Sequence, residues 1–329
     1  MENITVNEIC KPHSEETFRD LAIRIFQFQY VHCDIYRQFV NGVAPDINNI
    51  QSMEDIPFLP IDFFKTQRII SSSNSEEIIF ESSGTTGSQP SKHYVADLSL
   101  YEQSFLRSFQ LFVGNPKDFA ILSLLPSYIE RGNSSLLYMM DVLMQKSQHP
   151  LSGFYLNDTQ KLVRTLKQLD AENQKTILWG VSFALLDLVE NFSLNLPNLM
   201  VFETGGMKGR RKEMLREELH ILLKQGFGVQ TIHSEYGMTE LLSQAYLMEN
   251  QRFKTPPWMK IRIRDAYNPL RMVSQTAKSG GINVIDLANV YSCSFIATQD
   301  IGKLYSDQTF EVLGRFDVSD VRGCNLMVY

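Results

Sequence analysis

The chain has 329 residues, 43% of them hydrophobic and 21% charged, which suits one large or two modest globular units and excludes wholesale disorder. A net charge of −6 at pH 7 gives no general attraction to nucleic acid or to an anionic membrane surface. The N-terminus, MENITVNEICK, lacks the apolar core of a signal peptide, and the longest apolar stretch (176–189) is too short for a membrane span and contains Asp187, so a cytoplasmic location is expected.

In chain order, residues 14–42 read as one long helix. Ser14 caps it, Glu15 and Glu16 suit the positive end of its dipole, and Phe18, Leu21, Ile25 and Phe26 recur at helical spacing. Thr17 stands where a full capping box would carry Glu or Gln. IPFLPIDFF (56–64) is a Pro-punctuated connection. From Asp97 the pattern alternates, with helices expected near 97–113, 134–146, 160–172, 183–192 and 211–225, and strands at 119–125, 176–180, 199–204 and from 229. Such alternation implies a mainly parallel sheet covered on both faces. After about residue 255 the segments MKIRIRDA, GGINVIDL, SCSFIAT and TFEVLGRFD read as strands joined by polar turns. The expected fold is α/β, with an N-terminal helical segment (1–70), an α/β region (71–254), a β-rich subdomain (255–313) and a tail (314–329).

Ligands of an open parallel sheet collect beyond the carboxyl ends of its strands. Three segments therefore stand out: SSGTTG (82–87), ETGGMKGR (203–210) and SEYGMTE (234–240). The first follows an apolar, strand-like run and offers hydroxyls, backbone N–H groups and two glycines to an anion. It is not a Walker loop, because Gly87 is followed by Ser88 rather than Lys. By itself it fits a phosphate loop or a surface turn equally well. In the third segment Tyr236 offers a flat ring, Thr239 a hydroxyl and Glu240 a hard oxygen ligand for Mg²⁺. The bland alternative there is a strand-to-helix turn capped by Thr239 or Glu240. Cys10, Cys33, Cys293 and Cys324 are widely spaced, with no C-x-x-C pair, which indicates neither a zinc site nor a disulfide framework.

Taken together, these stretches resemble the adenylate-forming superfamily. FESSGTTGSQPSK is similar to its phosphate loop and EYGMTE to its aromatic-Gly-x-Thr-Glu motif. IATQDIGKL is similar to its ribose-binding segment, with Asp300 at the acid position, and VLGRFDVSDVRGC to its hinge motif, with Arg315 and Asp317. Within that superfamily, IPFLPIDFFK, LPSYIERGNSSLLYMM, ETGGMKGRR and YGMTELLSQAY resemble the acyl-protein synthetase (LuxE) family, and the likeness covers about residues 50–329.

The resemblance implies the large domain of adenylate-forming enzymes, with ATP and Mg²⁺ as cofactors and a fatty acid or other carboxylic acid as substrate. It places Ser83, Gly84, Thr85, Thr86 and Gly87 at the phosphates, Gly205 and Gly206 along the adenine, and Tyr236 packed on it. It places Thr239 at the α-phosphate, Glu240 on Mg²⁺, and Asp300 and Arg315 at the ribose. Cys324 is the positional match to an acyl-accepting cysteine, and an acyl-reductase protein is the implied partner. PSKH replaces the usual Pro-Lys-Gly, which leaves the role of Lys92 open. The chain ends at Tyr329, just past the hinge-like motif, so the small C-terminal domain and its catalytic Lys are expected to be absent. Two other functions remain open: a ligase that acylates CoA or a carrier, and a non-catalytic nucleotide-binding scaffold.

Overall fold

The computed structural model describes residues 4–44, 46–47, 50–71, 75–83, 89–125, 133–205, 214–249 and 251–316. Helices α1 (Val6–Ile9), α2 (Glu15–His32) and α3 (Asp34–Val43) precede strand β1 (Leu59–Pro60) and the short α4 (Phe63–Thr66). Strands β2 (Ile78–Glu81) and β3 (Lys92–Val95) form a hairpin. The alternating region runs α5 (Leu98–Phe112), β4 (Ala120–Leu124), α6 (Ser135–Ser147), β5 (Gly153–Phe154), α7 (Thr159–Ala171), β6 (Thr176–Val181), α8 (Ser182–Asn191), β7 (Met200–Thr204), α9 (Arg216–Phe227), β8 (Ile232–Tyr236) and β9 (Ala245–Leu247). Strands β10 (Met259–Arg264), β11 (Ser279–Asp286), β12 (Phe295–Leu304) and β13 (Phe310–Arg315) follow. No described helix is long and apolar enough to cross a membrane.

By contact the chain forms two compact units, residues 76–256 and residues 1–75 with 257–329. The first is built on a six-stranded sheet in the order β5-β4-β6-β7-β8-β9. Its pairings are parallel, as the alternation predicts, except that β9 returns antiparallel to β8. Every residue of β4 and β6 is buried, as expected for strands covered on both faces. Asp97 caps α5 by accepting from Leu100 N at 3.2 Å. Helix α9 begins at Arg216, later than the expected 211, and ends at Gly228, whose φ of +72° suits the left-handed helix stop that glycine supplies.

The second unit holds a sheet in the order β1-β12-β11-β10, with β13 also paired to β12. The single long helix expected over 14–42 is two helices. Ser14 caps α2 as read, accepting from Thr17 N at 3.1 Å. At Cys33, however, the backbone leaves the helical region (φ −114°, ψ 102°) and the same residue ends α2 and starts α3. Asp34 then supplies an acidic first turn for the new helix.

The N-terminal helices and the β-rich region, expected as separate segments, belong to this one unit. Buried Gln29 of α2 is a physical reason. Its amide donates to the Asn289 and Val290 carbonyls at 3.0 and 2.9 Å, and its oxygen accepts from Ser294 N at 3.0 Å. Phe26 and Tyr36 add ring contacts to Phe295 of β12. Replacing Gln29 by Ala would take this buried partner from the Val290 carbonyl and from Ser294 N, and one of two donors from the Asn289 carbonyl, which also accepts from Ser292 N. Gln29→Ala is therefore expected to destabilise the protein by about 2–4 kcal/mol in urea unfolding, while an exposed control, Gln38→Ala, changes it by less than about 0.5 kcal/mol.

Candidate functional site

Hairpin β2–β3 brackets the hydroxyl-rich loop. Its register pairs Phe80 with His93 and Glu81 with Lys92. Ser82 closes the base of the loop, with Ser82 N donating to the Ser91 carbonyl at 3.0 Å and Ser91 N donating to Ser82 Oγ at 2.9 Å. Ser83 is exposed. Gly84, Thr85, Thr86 and Gly87 lie outside the described residues. Lys92, whose role the sequence leaves open, pairs with Glu81 across the hairpin at 3.2 Å.

At the end of β7, Gly205 has φ +77°, a left-handed conformation natural to glycine. Gly206 lies outside the described residues. Tyr236 ends β8 as a buried residue, with its ring 5.8 Å from that of Phe253. The Arg216 guanidinium lies over the other ring of this pair, 4.8 Å from the Phe253 centroid. A tight turn follows, in which Leu241 N donates to the Met238 carbonyl at 3.1 Å. Thr239 is half-buried and Glu240 is buried. The turn leads into β9, with Tyr236 paired to Ala245, so no helix begins here and the helix-cap alternative does not hold.

Two buried carboxylates occupy the ends of β7 and β8, and sequence reasoning singled out neither. Glu203 receives Ser182 Oγ at 3.0 Å and Ser234 Oγ at 2.6 Å, with His220 Nε2 at 3.5 Å and Arg216 Nε at 3.8 Å. Burial opposes its ionisation, but the donors from His220 and Ser234 and the charge of Arg216 outweigh that and hold its pKa below the usual carboxylate range. Among the described residues Glu235 accepts one such bond that lowers its pKa, from Thr204 Oγ1 at 2.8 Å. Burial, reinforced by the charge of Glu203, pushes it up to about 7. A Cβ at Gly237 would lie 2.4 Å from Glu235 Oε1, so this carboxyl sits directly against the backbone of the turn. A third overlooked residue is His93, fully buried on β3, whose Nδ1 lies 2.8 Å from the Thr239 carbonyl oxygen. The signal available for it was the inward alternation of a strand that the sequence did not announce.

In the other unit, Asp300 of β12 and Arg315 of β13 are cross-strand partners. The structure joins them directly, Arg315 Nε lying 3.2 Å from Asp300 Oδ1, with Arg315 exposed and Asp300 buried. Asp300 N donates to Thr298 Oγ1 at 3.1 Å. Asp317 and Cys324 lie outside the described residues.

A mostly parallel sheet whose strand ends carry a glycine turn and an aromatic-Gly-x-Thr-Glu turn, with a separate two-stranded hairpin bracketing the hydroxyl-rich segment, has the fold of the adenylate-forming ligases. Solved structures of that class share the fold. ATP-bound MatB from Rhodopseudomonas palustris matches with a TM-score of 0.54 at 19% identity, over 72% of this chain and 47% of that one. 2-Hydroxyisobutyryl-CoA ligase in its postadenylation state matches with a TM-score of 0.69 at 13% identity, over 94% of this chain and 70% of that one. The chain thus spans about half the length of MatB. Within the class, the chain belongs to the acyl-protein synthetase, LuxE, family, whose sequence profile matches residues 7–329. It is 36% identical over 81 residues to the long-chain-fatty-acid–luciferin-component ligase of Photorhabdus luminescens, a match covering 24% of this chain and 69% of that protein.

The raised pKa of Glu235 has a signed consequence for stability. Between its ordinary value of 4.5 and about 7, the unfolded chain has lost this proton while the folded protein keeps it. Stability contributed by this group therefore falls as pH rises through that window, by about 3 kcal/mol in all. Urea unfolding of wild type and Glu235→Gln across pH 4.5–7.5 isolates the effect. The wild-type curve should fall relative to the variant as pH rises, whereas parallel curves would refute the raised pKa.

Proposed function

We propose that this protein uses ATP to activate a carboxylic acid, forming an acyl-adenylate and pyrophosphate, and then passes the acyl group to a thiol with release of AMP. The observation that carries the reading is the Thr239–Glu240 turn at the carboxyl end of β8, within a chain of the acyl-protein synthetase family. Long-chain fatty acids are the proposed acids, supported by the name of the Photorhabdus luminescens relative. ATP is supported by the nucleotide or adenylate in the structures of MatB and of 2-hydroxyisobutyryl-CoA ligase.

Carboxylate attack on the α-phosphorus asks little covalent chemistry of the protein, which acts by aligning the reactants and neutralising charge. Ser83, Gly84, Thr85, Thr86 and Gly87 hold the phosphates through hydroxyl and N–H donors. Gly205, Gly206 and Tyr236 accept the adenine, and Asp300 and Arg315 hold the ribose hydroxyls. Thr239 donates to the α-phosphate. Glu240 is the proposed ligand for Mg²⁺. A lone protein carboxylate fits that ion, which keeps waters and takes its other ligands from phosphate, and no group of three or more potential metal ligands occurs among the described residues. Bound there, Mg²⁺ would neutralise phosphate charge.

Cys324 is the proposed acyl acceptor. The other three cysteines are buried, and burial pushes the Cys33 and Cys293 thiols above their usual range, which makes them poor nucleophiles. Its thiolate would attack the adenylate carbonyl, forming a thioester and expelling AMP, before transfer to an acyl-reductase partner. A second reading, with CoA as acceptor, is favoured by the presence of adenylate and CoA together in another structure of 2-hydroxyisobutyryl-CoA ligase.

Pyrophosphate release with ATP and a series of fatty acids tests the proposal. Acid-dependent release is expected, and none with any acid would leave the scaffold reading standing. Glu240→Gln should slow release by roughly 100-fold, and an unchanged rate at limiting Mg²⁺ would remove its metal role. Cys324→Ser should keep acid-dependent pyrophosphate release and lose hydroxylamine-sensitive acyl labelling of the protein. Full labelling of that variant would move the acceptor to CoA or a carrier.

A further inference from the structure

Strand β3 alternates between half-buried Lys92 and Tyr94 and buried His93 and Val95. His93 is therefore a polar residue on the inward row, opposite fully buried Phe80. A polar group in such a place is costly unless it is hydrogen-bonded. Its Nδ1 lies 2.8 Å from the carbonyl oxygen of Thr239, 146 residues away in sequence. A carbonyl oxygen only accepts, so Nδ1 carries the hydrogen and donates it.

The Thr239 carbonyl is not the one that closes the turn, because Leu241 N takes the carbonyl of Met238. In a planar trans peptide the C=O and the following N–H point in opposite directions, and the described chain has no cis peptide bond. Anchoring the Thr239 carbonyl on His93 therefore aims the Glu240 N–H away from the hairpin. At the start of the turn, the Glu235 carboxyl lies against Gly237.

We propose that His93 is a positioning residue that sets the orientation of the Thr239–Glu240 peptide, and so ties the hairpin bracketing the phosphate loop to the turn that carries Thr239 and Glu240. The inference rests on the adenylation reading above for its catalytic consequence, but the geometric link is testable without it. His93 touches the turn through its backbone and is not assigned a contact with the nucleotide.

The test compares His93→Leu, which removes the donor, with His93→Asn, whose amide can donate from nearly the same place. Amide hydrogen exchange at residues 238–241 reads the turn directly. Exchange should quicken about tenfold in the Leu variant, the scale of one buried hydrogen bond, and return towards wild type in the Asn variant. In pyrophosphate release, the Leu variant should lose about tenfold in kcat/KM for MgATP while KM for the acid stays within about twofold, and Asn should recover most of the loss. Unchanged exchange in the Leu variant overturns the inference whatever the kinetics. Equal loss in both variants, in step with a lowered melting temperature, also overturns it, because that pattern marks a packing role. A wild-type protein without acid-dependent pyrophosphate release refutes the adenylation reading instead, and the exchange measurement then decides the role of His93 alone.

Discussion

A carboxylate sealed inside a protein must be surrounded by donors, and Glu203 is the group around which the strand ends of the larger sheet are arranged. Ser182 reaches it from the start of α8, Arg216 and His220 from α9, and Ser234 from β8. Removing any one element would leave a buried charge poorly compensated, a situation that costs several kcal/mol. The same charge acts through the sheet on Glu235 of the next strand and favours its protonated form. The pKa values of the two adjacent carboxyls are thus driven in opposite directions, because donors outweigh burial at Glu203 and do not at Glu235. Glu235 is held by Thr204 and presses on Gly237, where a larger residue would collide with its carboxyl. A Cβ at the glycine of the aromatic-Gly-x-Thr-Glu turn would displace this carboxyl from the place where Thr204 holds it.

That arrangement suits the proposed chemistry. Adenylation depends on holding a carboxylate, a triphosphate and a metal in line, so small errors in turn geometry translate into lost rate. Rigid strand ends locked by buried polar contacts are a better platform for this than free loops. Tyr236 gains its place in the same way. Its ring rests near Phe253, which is covered by the Arg216 guanidinium, and Arg216 is also paired with Glu203.

The smaller sheet solves a related problem with Arg264, a buried guanidinium. It donates to the Ile282 carbonyl, to Asn283 Oδ1 and to the Thr298 carbonyl. To reach β12 it crosses β11 at Gly281, where a Cβ would lie 2.4 Å from Arg264 Cζ. The adjacent Gly280 faces the Arg264 carbonyl oxygen, 2.2 Å from where a Cβ would stand. The paired glycines in the segment GGINVIDL thus make room for one side chain and its backbone. Thr298, whose carbonyl Arg264 holds, in turn accepts from Asp300 N, and Asp300 meets Arg315 across the β12–β13 pair.

Sequence by itself determined the elements whose causes are local. Ser14 and Asp97 mark helix starts because a capping oxygen meets an N–H three residues ahead, and alternating helices and short apolar strands specified a parallel sheet. The segments at Gly205, Tyr236, Thr239 and Glu240 were singled out in the sequence by their place after apolar, strand-like runs and by their resemblance to the adenylate-forming pattern. The pairing of Asp300 with Arg315 and the burial of His93, Glu203 and Glu235 came only with the tertiary structure. So did the break at Cys33 and the attachment of α2 to the β-rich sheet through Gln29, contacts that span about 260 residues. Periodicity reports which face of an element is apolar within one or two turns, whereas a buried hydrogen bond reports which distant backbone group lacks a partner. That second quantity exists only once the chain has folded.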